Sequence, residues 1–125
     1  MTAIRIVDAS ALAAIVFAEP EGEDAVARLR GAALAAPALL AYEIANVCLA
    51  KIRANPAQRQ LLLTAFENWT AMGIELVKVD SRAVLMLADE SGLTAYDVSY
   101  LWLARRLNAE LVTYDRRLAR ATQAR

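Results

Sequence analysis

The segment Ile4-Arg5-Ile6-Val7-Asp8-Ala9-Ser10 is the clearest indication of the fold, because a short β-branched run stops at an aspartate and an alanine-rich helical pattern follows. β-Branched residues favour strands, and aspartate favours the N-cap of a helix. The same order recurs near the other end of the chain, where Leu111-Val112-Thr113 precedes Tyr114 and Asp115. We therefore predict strands over residues 4–7 and 111–113, each leading into an aspartate and then a helix, over residues 9–18 and 115–121.

Helical patterns fill most of the chain between these two strands. Capping residues, proline positions and apolar spacing predict where each helix begins and ends. The predicted helices run from 21 to 30, from 41 to 54, from 56 (capped by Asn55) to 72, from Asp80 or Ser81 to 92, and from Thr94 to 107. Weaker patterns predict strands over residues 36–40 and 74–79.

Strands and helices alternate in this prediction, which is typical of α/β proteins with a mostly parallel sheet. We expect a three-layer α/β/α sandwich. The chain has 125 residues, of which 58% are hydrophobic and 22% charged, and it shows no linker, repeat or low-complexity segment. This length and composition suit one folded domain over residues 1–125.

The composition excludes several classes of function. The chain has no histidine and a single cysteine, Cys48, so neither Ser-His-Asp nor Cys-His catalysis is available and an ordinary zinc site is improbable. No apolar run reaches the roughly 18–20 residues that span a bilayer, and no signal-peptide pattern opens the chain. We expect a cytoplasmic protein without a membrane segment. The net charge is zero, so any attraction for nucleic acid must be local.

Three aspartates stand at places where a helix begins. Asp8 and Asp115 follow predicted strands, and Asp97 lies three residues after the cap candidate Thr94. Each has an ordinary alternative, because aspartate is favoured at N-caps and in first turns whatever the function. However, the carboxyl ends of parallel strands lie along one edge of the sheet, where ligands usually bind. The predicted fold therefore brings Asp8 and Asp115 to the same edge.

Glu43 has no capping explanation. It is the only charged residue between Pro37 and Ala50, and Asn46 lies one turn later on the same helix face. A buried carboxylate needs a cation, an arginine or a proton. The alternative is a thin exposed stripe on which Glu43 and Asn46 face water.

Carboxylates that meet at one point raise one another's pKa values, and a divalent cation removes this conflict. With no histidine or cysteine pair available, oxygen ligands favour Mg²⁺, or Mn²⁺ in its place. Phosphoryl chemistry is the natural use of such a site, because a cation there would activate a water molecule and stabilise a leaving oxygen.

Four motifs resemble the acidic motifs of PIN-domain nucleases, and more narrowly those of VapC-type toxins from bacterial toxin–antitoxin pairs. They are Ile6-Val7-Asp8-Ala9-Ser10, Tyr42-Glu43-Ile44-Ala45-Asn46, Thr94-Ala95-Tyr96-Asp97 and Leu111-Val112-Thr113-Tyr114-Asp115-Arg116-Arg117-Leu118. No single motif is specific. The four together cover nearly the whole chain in the family's order, which is much harder to obtain by chance.

The resemblance implies an endoribonuclease that uses Mg²⁺ or Mn²⁺ and is held inactive by a cognate antitoxin. Asp8 and Asp97 would be the innermost metal ligands, and Glu43 and Asp115 would complete the cluster. Outer partners that orient these groups would be Ser10, Asn46 and Thr113. We also expect a homodimer.

Two other functional classes compete with this reading. A PIN-like domain with a vestigial site would serve as a non-catalytic binding subunit. An α/β domain with a phosphorylated aspartate fits less well, because Asp8-Ala9-Ser10 lacks the second acid of an Asp-x-Asp phosphatase motif.

The C-terminal quarter is basic. It holds six arginines, at 105, 106, 116, 117, 120 and 125, against the two acids Glu110 and Asp115. A solvated helix end is the ordinary explanation. Next to a metal site, Arg116 and Arg117 are candidates for contact with RNA phosphates. Of the aromatic residues that could stack on bases, Tyr96, Tyr100 and Trp102 remain, since Trp69 lies on an apolar stripe and is expected in the core.

Overall fold

A four-stranded parallel sheet organises residues 2–123, the part of the chain that this computed structural model describes. The strands are β1 (Ile4–Val7), β2 (Ala33–Pro37), β3 (Glu75–Val77) and β4 (Glu110–Val112). They lie in the order β3-β2-β1-β4, and each neighbouring pair is parallel. The predicted α/β/α sandwich with a parallel sheet is confirmed.

Helices connect the strands. Those of the described residues are α1 (Ala9–Val16), α2 (Gly22–Leu29), α3 (Leu40–Ala54), α4 (Arg59–Asn68), α5 (Ser81–Ser91), α6 (Ala95–Arg106) and α7 (Arg116–Gln123). At 15 residues, α3 is the longest of them, shorter than the roughly 20 residues that cross a bilayer. No helix within residues 2–123 is therefore a candidate membrane span.

Local capping explains most helix boundaries. The Thr94 and Asp80 side chains each accept a hydrogen bond from the first turn, as predicted for α6 and α5. Gly73 and Gly92 adopt left-handed conformations, with φ of 71° and 74°, and end the preceding helical segments.

Several predicted boundaries were wrong, among them the strand predicted over residues 74–79, which spans only Glu75–Val77. The strand predicted over residues 36–40 lies three residues earlier, because Ala33 pairs with Ile4 and Leu40 already begins α3. The helix predicted from 56 to 72 consists of short 3₁₀ turns, Pro56–Gln58 and Trp69–Met72, around α4, and the Asn55 side chain does not cap it. The first predicted helix ends at Val16 rather than at residue 18, whose φ is 51°.

The register between β1 and β4 determines which residues lie beside Asp8. Val7 pairs with Val112, so the residues that follow these strands, Asp8 and Thr113, lie side by side at the carboxyl edge of the sheet. Val7, Val112 and Ile6 are buried in the core with side chains from α1, α3 and α6, including Leu12, Ile44 and Val98. The carboxyl edge is therefore held by a packed core directly beneath it.

Candidate active site

Asp8 is the most buried of the four predicted acids. Only 4% of it is exposed, and it caps α1 from the end of β1. Its Oδ1 accepts hydrogen bonds from the Ala11 amide at 2.9 Å and the Ser10 hydroxyl at 2.7 Å, and Thr113 donates a short hydrogen bond to Oδ2. The carboxyl group is therefore fixed in position by three donors from the chain.

Thr113 and Ser10 join Asp8 to the segment that carries Asp115. The Thr113 hydroxyl accepts from the Asp115 amide at 3.0 Å, and the Ser10 hydroxyl accepts from the Tyr114 amide at 2.8 Å. The Asp115 Oδ1 in turn accepts from the Arg117 and Leu118 amides at 2.9 and 3.1 Å, which caps α7. Both hydroxyl residues predicted as outer partners thus contact the acids or their backbone.

Glu43 reaches the site from the first turn of α3, where it is half-buried. Its Oε1 accepts a hydrogen bond from the Tyr100 hydroxyl at 2.5 Å. The alternative of a fully solvated stripe fails for Glu43 but holds for Asn46, which is exposed and makes no hydrogen bond within residues 2–123. Asn46 is therefore the one predicted outer partner whose side chain makes no hydrogen bond to the acids or their neighbours among the described residues.

Asp97 stands in the first turn of α6, where its amide donates to the Thr94 hydroxyl at 3.1 Å. It is half-buried, and its negative charge acts on Glu43. Sequence reasoning named Tyr100 only as a residue that could stack on bases and missed its contact with Glu43; Tyr100 lies one helical turn after Asp97 on the same helix. The available signal was the Asp-x-x-Tyr spacing, which places both side chains on one helix face.

The electrostatics of this edge are unfavourable to ionised acids. Burial raises the pKa of Asp8, and the charge of Asp115 raises it further, against three hydrogen bonds that lower it. Burial also raises the pKa of Glu43, with the charges of Asp97 and Asp8 adding to the effect and the Tyr100 hydrogen bond opposing it. The ion pairs found within residues 2–123 involve Glu19 and Glu110 but none of the four acids. The cluster therefore lacks a compensating cation from the described chain.

The residues present suit a hard divalent cation. Their donor atoms are all oxygens, which Mg²⁺ and Mn²⁺ prefer. Among residues 2–123, no three acidic or thiol side chains are placed so that they could hold a metal ion together. Mg²⁺ usually keeps several of its waters and takes only one or two carboxylates, so an incomplete protein shell fits this ion.

Some of the basic and aromatic residues predicted to contact RNA are exposed, and others are buried in the core. Arg116 and Arg117 are exposed at the start of α7, directly after Asp115. Arg125 lies outside the described residues. Tyr96 is 68% exposed beside Asp97, whereas Tyr100 is 2% exposed, so Tyr100 cannot stack on a base. Trp69 is buried, as predicted.

Comparisons with known proteins agree with this geometry. A family model described as the PIN domain matches residues 5–123. Ribonuclease VapC3 of Pyrobaculum aerophilum is 31% identical over 119 residues, which cover 91% of this chain and 91% of that protein. The crystal structure of PAE2754 from Pyrobaculum aerophilum superposes with a TM-score of 0.80 at 29% identity, over 97% of this chain and 81% of that one.

Proposed function

Because this chain belongs to the PIN-domain family, we propose that it is a metal-dependent endoribonuclease that hydrolyses RNA phosphodiester bonds. The observation that carries the proposal is that Asp8, Glu43, Asp97 and Asp115 lie near enough to one another for the charges of neighbouring acids to raise the pKa values of Asp8 and Glu43, without a cation from the described chain. The similarity to a ribonuclease over nearly the whole chain supports the choice of RNA as substrate.

Asp8 and Asp97 would be the innermost ligands of the cation, and Glu43 and Asp115 would complete the cluster directly or through water. A bound Mg²⁺ or Mn²⁺ supplies an activated water and stabilises charge on the phosphate. The chain's own residues do the positioning. Thr113 and Ser10 fix the orientation of the Asp8 carboxylate, as outer contacts of metal ligands generally do.

Arg116 and Arg117 would contact the RNA backbone. Both are exposed at the start of α7, one and two residues after Asp115. Arginine's forked donors match phosphate oxygens, and a local patch of this kind can act although the net charge of the whole chain is zero. Tyr96, next to Asp97, offers an exposed ring on which a base could stack.

We further propose that the enzyme is the toxin of a toxin–antitoxin pair and that a cognate antitoxin inhibits it. The similarity to a VapC protein supports this role. Several large apolar side chains are exposed and available for contact with a protein partner, among them Tyr42, Leu61, Leu85 and Met86. The homodimer remains a prediction.

Cleavage of a labelled single-stranded RNA by the full chain tests the proposal. With Mg²⁺ present, we expect Asp8→Asn and Asp97→Asn each to lower the rate by about 1000-fold or more, since metal-supplied stabilisation is worth several kcal/mol. Chelation by EDTA should abolish cleavage, and Mn²⁺ should restore it.

Asp80→Asn is the matched control. Asp80 caps α5 by accepting from the Ala83 amide at 3.1 Å, much as Asp8 caps α1, but it lies outside the acidic cluster. Asparagine caps helices about as well as aspartate, so this variant should cleave at the wild-type rate. Cleavage that survives both Asp8→Asn and Asp97→Asn in folded protein would rule out the mechanism and favour a non-catalytic binding subunit.

A further inference from the structure

Two arginines of α7 stand where they do not stabilise the helix. Arg116 and Arg117 occupy its first turn, which contains no acid. The positive end of the helix dipole lies at the first turn and favours negative charge there. The opposite arrangement is found in α2, whose first turn carries Glu23 and Asp24 and whose last turn carries Arg28. Helix stability therefore does not explain the placement of Arg116 and Arg117.

The acid directly before α7 does not pair with these arginines. The Asp115 Oδ1 accepts hydrogen bonds from the Arg117 and Leu118 amides. None of the ion pairs found within residues 2–123 involves Asp115, Arg116, Arg117 or Arg120. The arginines of α7 therefore lie beside an acid without being neutralised by it, and their side chains are exposed.

Arg120 turns back toward the same end of the helix. Its Nε donates to the Arg116 carbonyl at 3.3 Å. Leu118 is 2% exposed and fixes which side of α7 faces the core. Arg116 and Arg120 each lie two residues from Leu118, about 200° around the helix, so both stand on the side away from the core. This geometry brings Arg120 together with Arg116, the residue that follows Asp115.

We propose that Arg116, Arg117 and Arg120 form a single phosphate-binding cluster, in which Arg120 contacts a phosphate of the RNA strand beside the one that is cleaved. The inference rests on the proposed function, in which RNA is the substrate. It adds Arg120 to the RNA-binding surface and places that surface around the first turn of α7.

The chemistry of the cluster suits a sugar–phosphate backbone. A guanidinium offers five N–H donors in a fixed fork, and Arg120 uses one of them for the Arg116 carbonyl. The remaining donors match phosphate oxygens in geometry. Each nucleotide of a strand carries one negative charge, so a strand that approaches Asp115 from this side supplies the anions that the arginines lack within the described chain.

Binding of a short, fluorescein-labelled single-stranded RNA to the full chain in EDTA tests the role of Arg120. For single strands, each phosphate contact contributes about 0.7 to the slope of log K against log salt. Arg120→Gln should therefore reduce the slope by about 0.7. If the contact contributes nothing at about 1 M salt, affinity should fall about 8-fold at about 50 mM KCl and about 3-fold at about 200 mM.

Arg53→Gln is the matched control. Arg53 is exposed in the last turn of α3, as Arg120 is in the last turn of α7, so both substitutions remove the same interaction with a helix dipole. Arg53 also takes part in none of the ion pairs found within residues 2–123. The helix α3 packs mainly against α1 and α4. The slope for Arg53→Gln should match the wild type. Equal changes in the two variants, or no change in Arg120→Gln, would overturn the proposal.

Cleavage with Mg²⁺ separates this inference from the function on which it rests. A wild-type chain that shows the expected difference in slope but does not cleave RNA would support the arginine cluster and contradict the metal-dependent function. A wild-type chain that cleaves RNA, with Arg120→Gln binding as tightly as wild type at every salt concentration, would contradict the cluster alone. Absence of RNA binding by the wild type at about 50 mM KCl would overturn the cluster whatever the cleavage activity.

Discussion

Charged side chains are paired with opposite charges at one edge of the sheet and lie near like charges at the other. At the amino edge, Glu110 at the start of β4 lies 3.2 Å from the Arg5 Nε on the paired strand and 3.2 Å from an Arg28 nitrogen on α2. At the carboxyl edge, Asp8 and Glu43 meet other acids and no ion pair of the described residues reaches them. The first edge balances its charges within the chain, whereas the acids of the second have no ion-pair partner among the described residues.

This contrast distinguishes a structural charge cluster from a binding site. Partly exposed ion pairs such as Arg5–Glu110 contribute little, about 0–1 kcal/mol, and are common on protein surfaces. Like charges held together by a rigid core oppose folding unless something binds there. Persistence of such an arrangement on a well-packed edge therefore favours function over stability as its explanation.

The largest expected effect is stabilisation by Mg²⁺. Saturation at a concentration of 100 times Kd should raise the free energy of unfolding by about 2.7 kcal/mol, because the ion binds only the folded chain. Thermal unfolding with and without MgCl₂ measures this. Asp8→Asn should lose the effect, while the amino-edge variant Glu110→Gln should keep it. Equal stabilisation of wild type and Asp8→Asn would place the cation elsewhere.

Thr113→Val should have the next largest effect. The Thr113 hydroxyl donates to Asp8 and accepts from the Asp115 amide, so valine leaves two polar groups at the carboxyl edge without a partner. The expected loss is about 1–3 kcal/mol in the free energy of unfolding, measured by chemical denaturation without metal.

Thr122→Val is the control for this substitution. Thr122 is exposed on α7 and donates only to the Ala119 carbonyl one turn earlier, so its replacement should change stability by less than about 0.5 kcal/mol. If the two variants lose equal stability, the hydroxyl of Thr113 has no special part in supporting the acids.

Much of the carboxyl edge was predictable from sequence. A strand followed by an aspartate predicts where Asp8 and Asp115 lie, since the carboxyl ends of parallel strands share one edge of the sheet. Glu43 stood out because an isolated charge in an apolar helix needs a partner. These inferences depend on local patterns and on a general property of parallel sheets, and both are visible in one sequence.

The remaining features depend on tertiary contacts that no local pattern encodes. Tyr100 forms a hydrogen bond with Glu43, which lies 57 positions away in the sequence. The residues around Tyr100 in the sequence are typical of any aromatic residue in a protein core. The β2 strand was misplaced because alanine has no strong strand preference, and its boundaries are set by pairing with β1. Asn46 shares a helix face with Glu43, yet its side chain is exposed to solvent, and the helical pattern alone does not distinguish the two positions.

The pH dependence of stability should also differ between the edges. Burial raises the folded-state pKa values of Asp8 and Glu43, so the folded chain binds protons more tightly than the unfolded one. Their protonation therefore stabilises the metal-free protein fully below the unfolded values of about 4, and this contribution is lost as pH rises through the folded values.

Denaturation of metal-free protein across the range from pH 4 to pH 8 measures this loss. The chain has no histidine, so few other groups titrate in the upper part of that range. Asp8→Asn should flatten the decline, and saturating Mg²⁺ should reverse it by favouring the ionised acids. A wild-type stability that rises steadily toward pH 8 without metal would contradict the assignment of raised pKa values to these two groups.

The smallest effect is expected at the amino edge. Glu110→Gln keeps an acceptor for Arg28 and removes a charge whose side chain is half exposed, so unfolding should become easier by less than about 1 kcal/mol. At about 1 M salt the difference from wild type should nearly vanish, because exposed charges are then screened within a few ångströms. RNA cleavage and Mg²⁺ affinity should match the wild type, since Glu110 stands at the opposite end of β4 from Thr113 and Asp115. A change in either would mean that the two edges are coupled through the strand, and the acids could then no longer be treated as an independent site.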